Sequence, residues 1–276
     1  MNYNKNIFEE LKKNRQKTPV EKELDRLARE EQSLKKQAVE YRAAKWKEAL
    51  EQKIPPKVYA NLQKAFYMAF EVIFEKGTAL IEKTYVRETI EKDFQVHDFA
   101  MNLKGGKKEL RHLKSEVNRG TMFNMAVSAV EGVGLGALGI GLPDIVLFLS
   151  VILKGTYETA LQYGFAYDTP EERWYILKLL ETAMSKGAQW IECNTAVDSC
   201  FSAKNVQVIQ PVHETTLSEQ IKNTADAFAV DMLLAKFIQG LPVAGILGGI
   251  SNPVYYHRIM TYVQLKYRKR YLLLKL

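Results

Sequence analysis

Two cysteines, Cys193 and Cys200, are all that 276 residues contain. That excludes a disulfide-built scaffold and points to a reducing compartment. On a helix, seven residues would separate the thiols by about 10 Å along the axis, beyond disulfide reach. Proline is also scarce, and only five of eight follow Pro56. Long stretches therefore run without a breaker, which favours helices. His97, His112, His213 and His257 are scattered without metal-ligand spacing. The sequence has no H-E-x-x-H, no G-x-S-x-G and no Walker pattern, so no hydrolase or phosphate-loop chemistry is indicated. Carboxylates are abundant, but no pair stands apart from solvated helix faces. No catalytic residue, cofactor or metal ligand is assigned. The amino terminus, MNYNKNIFEELKKN, lacks an apolar run of signal-peptide length, and a cytoplasmic location is expected.

Acidic residues stop early. No Asp or Glu follows Asp231, while Lys236, Arg258, Lys266, Arg268, Lys269, Arg270 and Lys275 lie beyond it. These seven bases equal the whole net charge of +7. The basicity thus belongs to one carboxy-terminal element. Two readings stay open: a solvated helix face, or contact with an anionic surface. For the second, Arg258, Lys266, Arg268, Lys269 and Arg270 are the candidate contacts. A nucleic-acid partner would rest on this tail alone and is not expected.

What is present is mostly helical pattern. Thr18, Pro19 and Glu21 spell a capping box before a charged stretch from about Pro19 to Gln52. Apolar residues are thin there before Tyr41. Residues 1–40 therefore read as a charged helical extension, and 41–276 as the packed body. Val58, Leu62, Ala65, Phe66, Ala69, Phe70 and Ile73 repeat with helical period, as core stripes do. A helix through Thr84 to Leu103 ends at the turn carrying Gly105 and Gly106. After Pro143 and Asp144 comes a helix that is apolar all round in its first turns, hence buried or lipid-facing. Gly164 is a natural stop for it. Thr169, Pro170 and Glu172 spell a second capping box. A weaker stretch, Asn194 to Leu217, precedes two further helices.

VEGVGLGALGIGLPDIVLFL, Val130 to Leu149, contains the G-x-G-x-x-G spelling of a dinucleotide turn at Gly134, Gly136 and Gly139. A true fingerprint comes after a strand and opens a helix. Here the preceding segment reads as helix, and Pro143 and Asp144 interrupt the helix that the last glycine should open. Close packing is the better reading: Gly132 and Gly136 are four apart, so backbones can approach in apolar surroundings. Asp144 near a helix start is a cap or dipole partner, or a functional flag if the hairpin is lipid-exposed. A second glycine-rich apolar corner spans Gly240 to Pro253, with Gly245, Gly248 and Gly249.

These residues, taken together, resemble the EcsC protein family, bacterial proteins named for a gene beside an ABC-transporter operon. The resemblance rests on Tyr41 and Trp46 leading into Ile54-Pro55, and on a small-residue segment ending in Asp144. It continues through Tyr163-Gly164-Phe165, Pro170, Pro242, Gly245, Asn252, Tyr267 and Arg270, covering about Ala38 to Leu272. Glu131 departs from it, since a small or hydroxyl residue is expected there. The charged extension lies outside the matched part. The resemblance implies an all-helical domain on the cytoplasmic side of membranes, linked to transport, and no activity.

The expectation is therefore an all-α helical bundle with glycine-rich corners and a charged amino-terminal helix. It would act as a non-enzymatic, membrane-associated protein whose corners and basic last helix meet an anionic membrane surface or a membrane-protein partner. The alternative is a soluble helical enzyme or lipid-binding bundle with a buried pocket.

Overall fold

A computed structural model describes residues 17–40, 55–74, 78–127, 143–201, 209, 216–238 and 253–276. These form α1 (Pro19–Glu40), α2 (Pro56–Val72), α3 (Thr78–Glu82), α4 (Arg87–Lys104) and α5 (Lys107–Val127). Next come α6 (Pro143–Gln162), α7 (Pro170–Met184), α8 (Gly187–Ser199), α9 (Leu217–Ile238) and α10 (Pro253–Leu273). No strand occurs among the described residues, so the protein is an all-α bundle. The G-x-G-x-x-G spelling itself lies outside the described residues, as do Gly132, Gly136, Gly139, Gly245, Gly248 and Gly249.

Local sequence chemistry sets the helix ends. The Thr18 amide donates to Glu21 Oε2 at 2.6 Å and the Glu21 amide to Thr18 Oγ1 at 3.1 Å, a complete capping box. Gly164 stops α6 as its sequence suggests, with φ of 80°. The Phe165 amide then reaches back to the Ala160 carbonyl at 2.9 Å, which satisfies an end carbonyl. At α7 the cap is only half of the expected box. The Glu172 amide donates to Thr169 Oγ1 at 3.1 Å, but the Glu172 carboxylate turns inward and accepts from Tyr267 and Arg270. A buried cation competes for that carboxylate better than a backbone amide does.

The centre of the bundle is α6. It packs against α2, α3, α4, α5 and α10, and Ile145, Leu149, Ile152, Leu153, Tyr157 and Ala160 are fully buried. Its segment Ile145–Gln162 is the one described helix long and apolar enough to cross a membrane, and it is 67% buried in the bundle. Its all-round apolarity is thus that of a core helix. Close approach depends on Gly155: a Cβ there would lie 2.5 Å from Tyr256 Oη and 3.2 Å from Met260 Sδ on α10. Phe148 faces Tyr255, Gly155 faces Met260 and Tyr163 faces Tyr271, so α6 and α10 run parallel. Phe94 of α4 also meets Tyr271, and Lys275 reaches Asp98 and Asn102. The Gly105 turn therefore lies beyond the carboxy-terminal end of α10.

The sequence suggests a free-standing α1, and the structure differs. Val20, Leu27 and Ala38 are buried, and α1 packs on α8 and α10. Residues 41–54 lie outside the described set. Both cysteines are free and buried.

Candidate functional site

Six of the seven bases beyond Asp231, those whose side chains are described, are paired with acids in space. Lys266 has 0% side-chain exposure, and its ammonium bonds Glu31 of α1 at 2.6 Å and Asp198 of α8 at 2.8 Å. Lys269 shares both carboxylates, at 3.1 and 2.9 Å. Arg268 is buried against Glu23 and lies 3.7 Å from Glu30, both on α1. Arg258 pairs with the buried Asp231 at 2.6 Å. Lys275 pairs with Asp98 at 2.5 Å. The side chain of Lys236 lies outside the described residues.

Arg270 is the deepest of them. It is fully buried and donates to Glu172 Oε1 at 2.7 Å. Its guanidinium lies 3.9 Å from the Phe165 ring centroid and 4.9 Å from that of Tyr175, which adds cation–π attraction. Burial works against its charge, yet Glu172 more than offsets this and raises its pKa. Lys266 goes the other way. Burial lowers its pKa despite Asp198 and Glu31. For Glu31, burial raises the carboxyl while Lys266 and Lys269 lower it further, to about 2. Arg268 is lowered by burial to about 10. The expected contacts Lys266, Arg268, Lys269 and Arg270 thus each pair with a carboxylate inside the fold. The opposing acids come from α1, α7, α8 and α9, far away in sequence. Asp144 is the second residue of α6, and its side chain lies outside the described residues.

A second polar cluster sits between α7, α8 and α9. Glu181 accepts from Lys178 at 2.9 Å, Gln220 at 2.7 Å and the Cys193 thiol at 3.2 Å. Burial, then the Glu181 charge, push the Cys193 thiol up to about 12. That thiol stays protonated at neutral pH, unlike a nucleophile. The cluster satisfies its own groups.

Free charge and exposed apolar surface meet elsewhere, on the α4–α5 hairpin. Val96, Phe99 and Leu103 are 67%, 66% and 68% exposed. At i, i+3 and i+7 they form one stripe leading to Gly105, which ends α4 with φ of 52°. Lys104, Lys107, Lys108 and Arg111 surround that turn and are exposed. Among the described residues none of the four has an ion-pair partner. Only Glu109 opposes them there. Lys275 ties the hairpin to the body, and within the hairpin the His97 and His112 rings meet with centroids 4.7 Å apart and planes tilted by 39°. In sequence, LKGGKKEL reads simply as a turn. The signal for a surface site was nonetheless present: an apolar triplet at helical spacing, apart from the Ile90, Phe94 and Met101 that pack on the core, with a cluster of bases directly after it.

Arranged so, the hairpin can do one thing chemically. It presents three exposed apolar side chains flanked by cations. No described cluster of three or more His, Cys, Asp or Glu is placed to hold a metal.

Neither a curated protein nor a solved structure matches the chain. A family model does match, over residues 19–272. It takes in α1, which the sequence pattern places outside the family part, and it agrees with the packing of α1 on α8 and α10. The chain belongs to the EcsC protein family.

Proposed function

We propose that this protein is a peripheral membrane protein that docks on an anionic bilayer through the α4–α5 turn. One observation carries the reading: Val96, Phe99 and Leu103 stand exposed beside Lys104, Lys107, Lys108 and Arg111, which have no internal partners among the described residues. Amphipathic surfaces of this composition bury their apolar side about 5–10 Å into the headgroup boundary. Full burial of such side chains is worth about 1.5–3 kcal/mol each, and each base near an anionic surface about 1 kcal/mol. The gross attraction is then on the order of 8 kcal/mol before ordering costs. The inner face of the cell membrane carries the matching charge. The link of the EcsC name with transport fits a role at that face. The reading requires no catalytic residue.

Co-sedimentation with vesicles tests it. Wild-type protein should bind vesicles rich in anionic lipid, bind neutral ones less, and release as salt rises. Phe99→Ser with Leu103→Ser should cut binding at least tenfold. So should Lys104→Gln, Lys107→Gln and Lys108→Gln together. Helical content and melting temperature should be unchanged, because these side chains are outside the core. Wild type that ignores anionic vesicles, or variants that bind like wild type, would remove the proposal.

A further inference from the structure

Between α1, α5 and α10 lies a cleft of about 500 Å³, floored at one end by Tyr163. Its volume is within the range of small-molecule sites, which are mostly apolar with few polar groups. Tyr163, Met260 and Leu265 form a buried apolar floor. It runs along α10 from His257 to Arg268, about 16 Å at the helical rise. Charge is confined to the end near Arg268. There Glu30 lies 3.7 Å from Lys114 Nζ and 3.7 Å from an Arg268 nitrogen, and it pairs with Arg26 at 3.1 Å. Three cations thus gather around one carboxylate. Lys114 is held only loosely, well beyond the 2.7–2.9 Å of a charge-assisted hydrogen bond, and keeps donors to offer. The cleft is elongated, with an apolar floor, uncharged polar groups of Ser33, Asn118, Thr261 and Gln264 in its lining, and cations at one end.

We propose that this cleft binds a single-chain anionic amphiphile, an alkyl carboxylate or alkyl phosphate. The head lies against Lys114, and the chain lies over Tyr163, Met260 and Leu265. One cationic end selects an anionic head. The continuous apolar floor of Tyr163, Met260 and Leu265 selects an alkyl chain. The site is separate from the exposed stripe Val96, Phe99 and Leu103, so it does not depend on bilayer docking.

Calorimetry and thermal unfolding with dodecyl phosphate and dodecanoate, below their micelle concentrations and without vesicles, test it on the full chain. At least one should bind one-to-one and raise the melting temperature, and the stronger of the two names the head class. Dodecyl maltoside, with the same chain and a neutral head, should bind at least tenfold more weakly, as should inorganic phosphate, which has no chain. Lys114→Gln, on a partly exposed side chain, should weaken binding at least tenfold with folding intact. Thr261→Trp should fill the cleft and abolish binding. Phe99→Ser with Leu103→Ser should leave this affinity within twofold, which separates it from bilayer docking. The proposal is overturned if neither anionic ligand binds below its micelle concentration. It is overturned equally if dodecyl maltoside binds as well as they do, or if Lys114→Gln binds like wild type.

Discussion

Replacing Arg270 with Gln should destabilise the bundle more than removing any surface base. The side chain is fully buried, its charge meets Glu172 at 2.7 Å, and aromatic rings at 3.9 and 4.9 Å enclose the guanidinium. Removing one partner of such a pair leaves the other charge buried without compensation, which costs about 3–5 kcal/mol. For a chain of this size each kcal/mol moves the melting temperature by roughly 2–4 °C, so a fall on the order of 10 °C is expected. Glu172→Gln should cost a similar amount, because it strands Arg270 instead. The double change Glu172→Leu with Arg270→Met should recover most of the loss, since apolar replacements of both partners remove the desolvation penalty. Lys104→Gln is the internal control and should stay within about 0.5 kcal/mol. Urea unfolding followed by circular dichroism reads all four. If Arg270→Gln loses under about 1 kcal/mol, or if the double variant is no better than the singles, the pair is not the buried unit described.

Acid should weaken the protein. The Glu31 carboxyl is held at about 2 against a usual 4.5, so its stabilisation is complete above pH 4.5 and drains as pH falls towards 2. Its upper limit is about 3 kcal/mol, reduced because burial lowers the pKa of Lys266 across the same pair. Glu31→Gln should flatten this part of the stability–pH profile. Gly155→Ala should cost about 1–3 kcal/mol by overpacking, since the new methyl meets Tyr256 and Met260. A stable Gly155→Ala would mean that α6 and α10 have room to part. Cys193 and Cys200 should react with a disulfide reagent at pH 8 only as urea unfolds the chain. Prompt modification of the native protein would contradict their burial.

Helices and their ends were legible where the controlling residues are neighbours in the chain. Thr18 with Glu21, Gly164 and Gly105 each act within one turn, and each sits where its sequence spacing puts it. The apolar stripe of α2 was legible for the same reason, as a period needs no partner. Glu172 shows where this fails. Its spacing from Thr169 is that of a capping box, but a residue 98 positions away takes the carboxylate. The carboxy-terminal bases show it again. A charge count along the chain leaves them unopposed, whereas α1 packs on α10 and sets Glu23, Glu30 and Glu31 against them. The same step explains how a helix read as an extension comes to be packed on α8 and α10. A helix thin in apolar residues reads as an extension until its glutamates are seen to neutralise buried cations. At the α4–α5 hairpin the local signal was sufficient, but exposure, which turns an apolar triplet from core into surface, is settled only by what fails to pack on it.

Geometry sets the starts of α6 and α10 and the α4–α5 turn at opposite ends of the bundle. Pro143 opens α6 and Pro253 opens α10, and the two helices run parallel. Asp231 of α9 meets Arg258 of α10 near that same end. The described starts of α6 and α10, at Pro143 and Pro253, therefore share one pole. The Gly105 turn projects past Lys275 at the other. A helix of α6's 20 residues is about 30 Å long, so one flat bilayer facing either pole end-on does not reach both. A proposed contact at the hairpin and one at the pole where α6 and α10 begin thus exclude each other, and the same variants decide between them. Loss of vesicle binding on Phe99→Ser with Leu103→Ser places the bilayer at the hairpin. Full retention, with the wild type bound, would shift the contact to the pole where α6 and α10 begin. It would also explain why so much apolar sequence is concentrated beside Pro143 and Pro253.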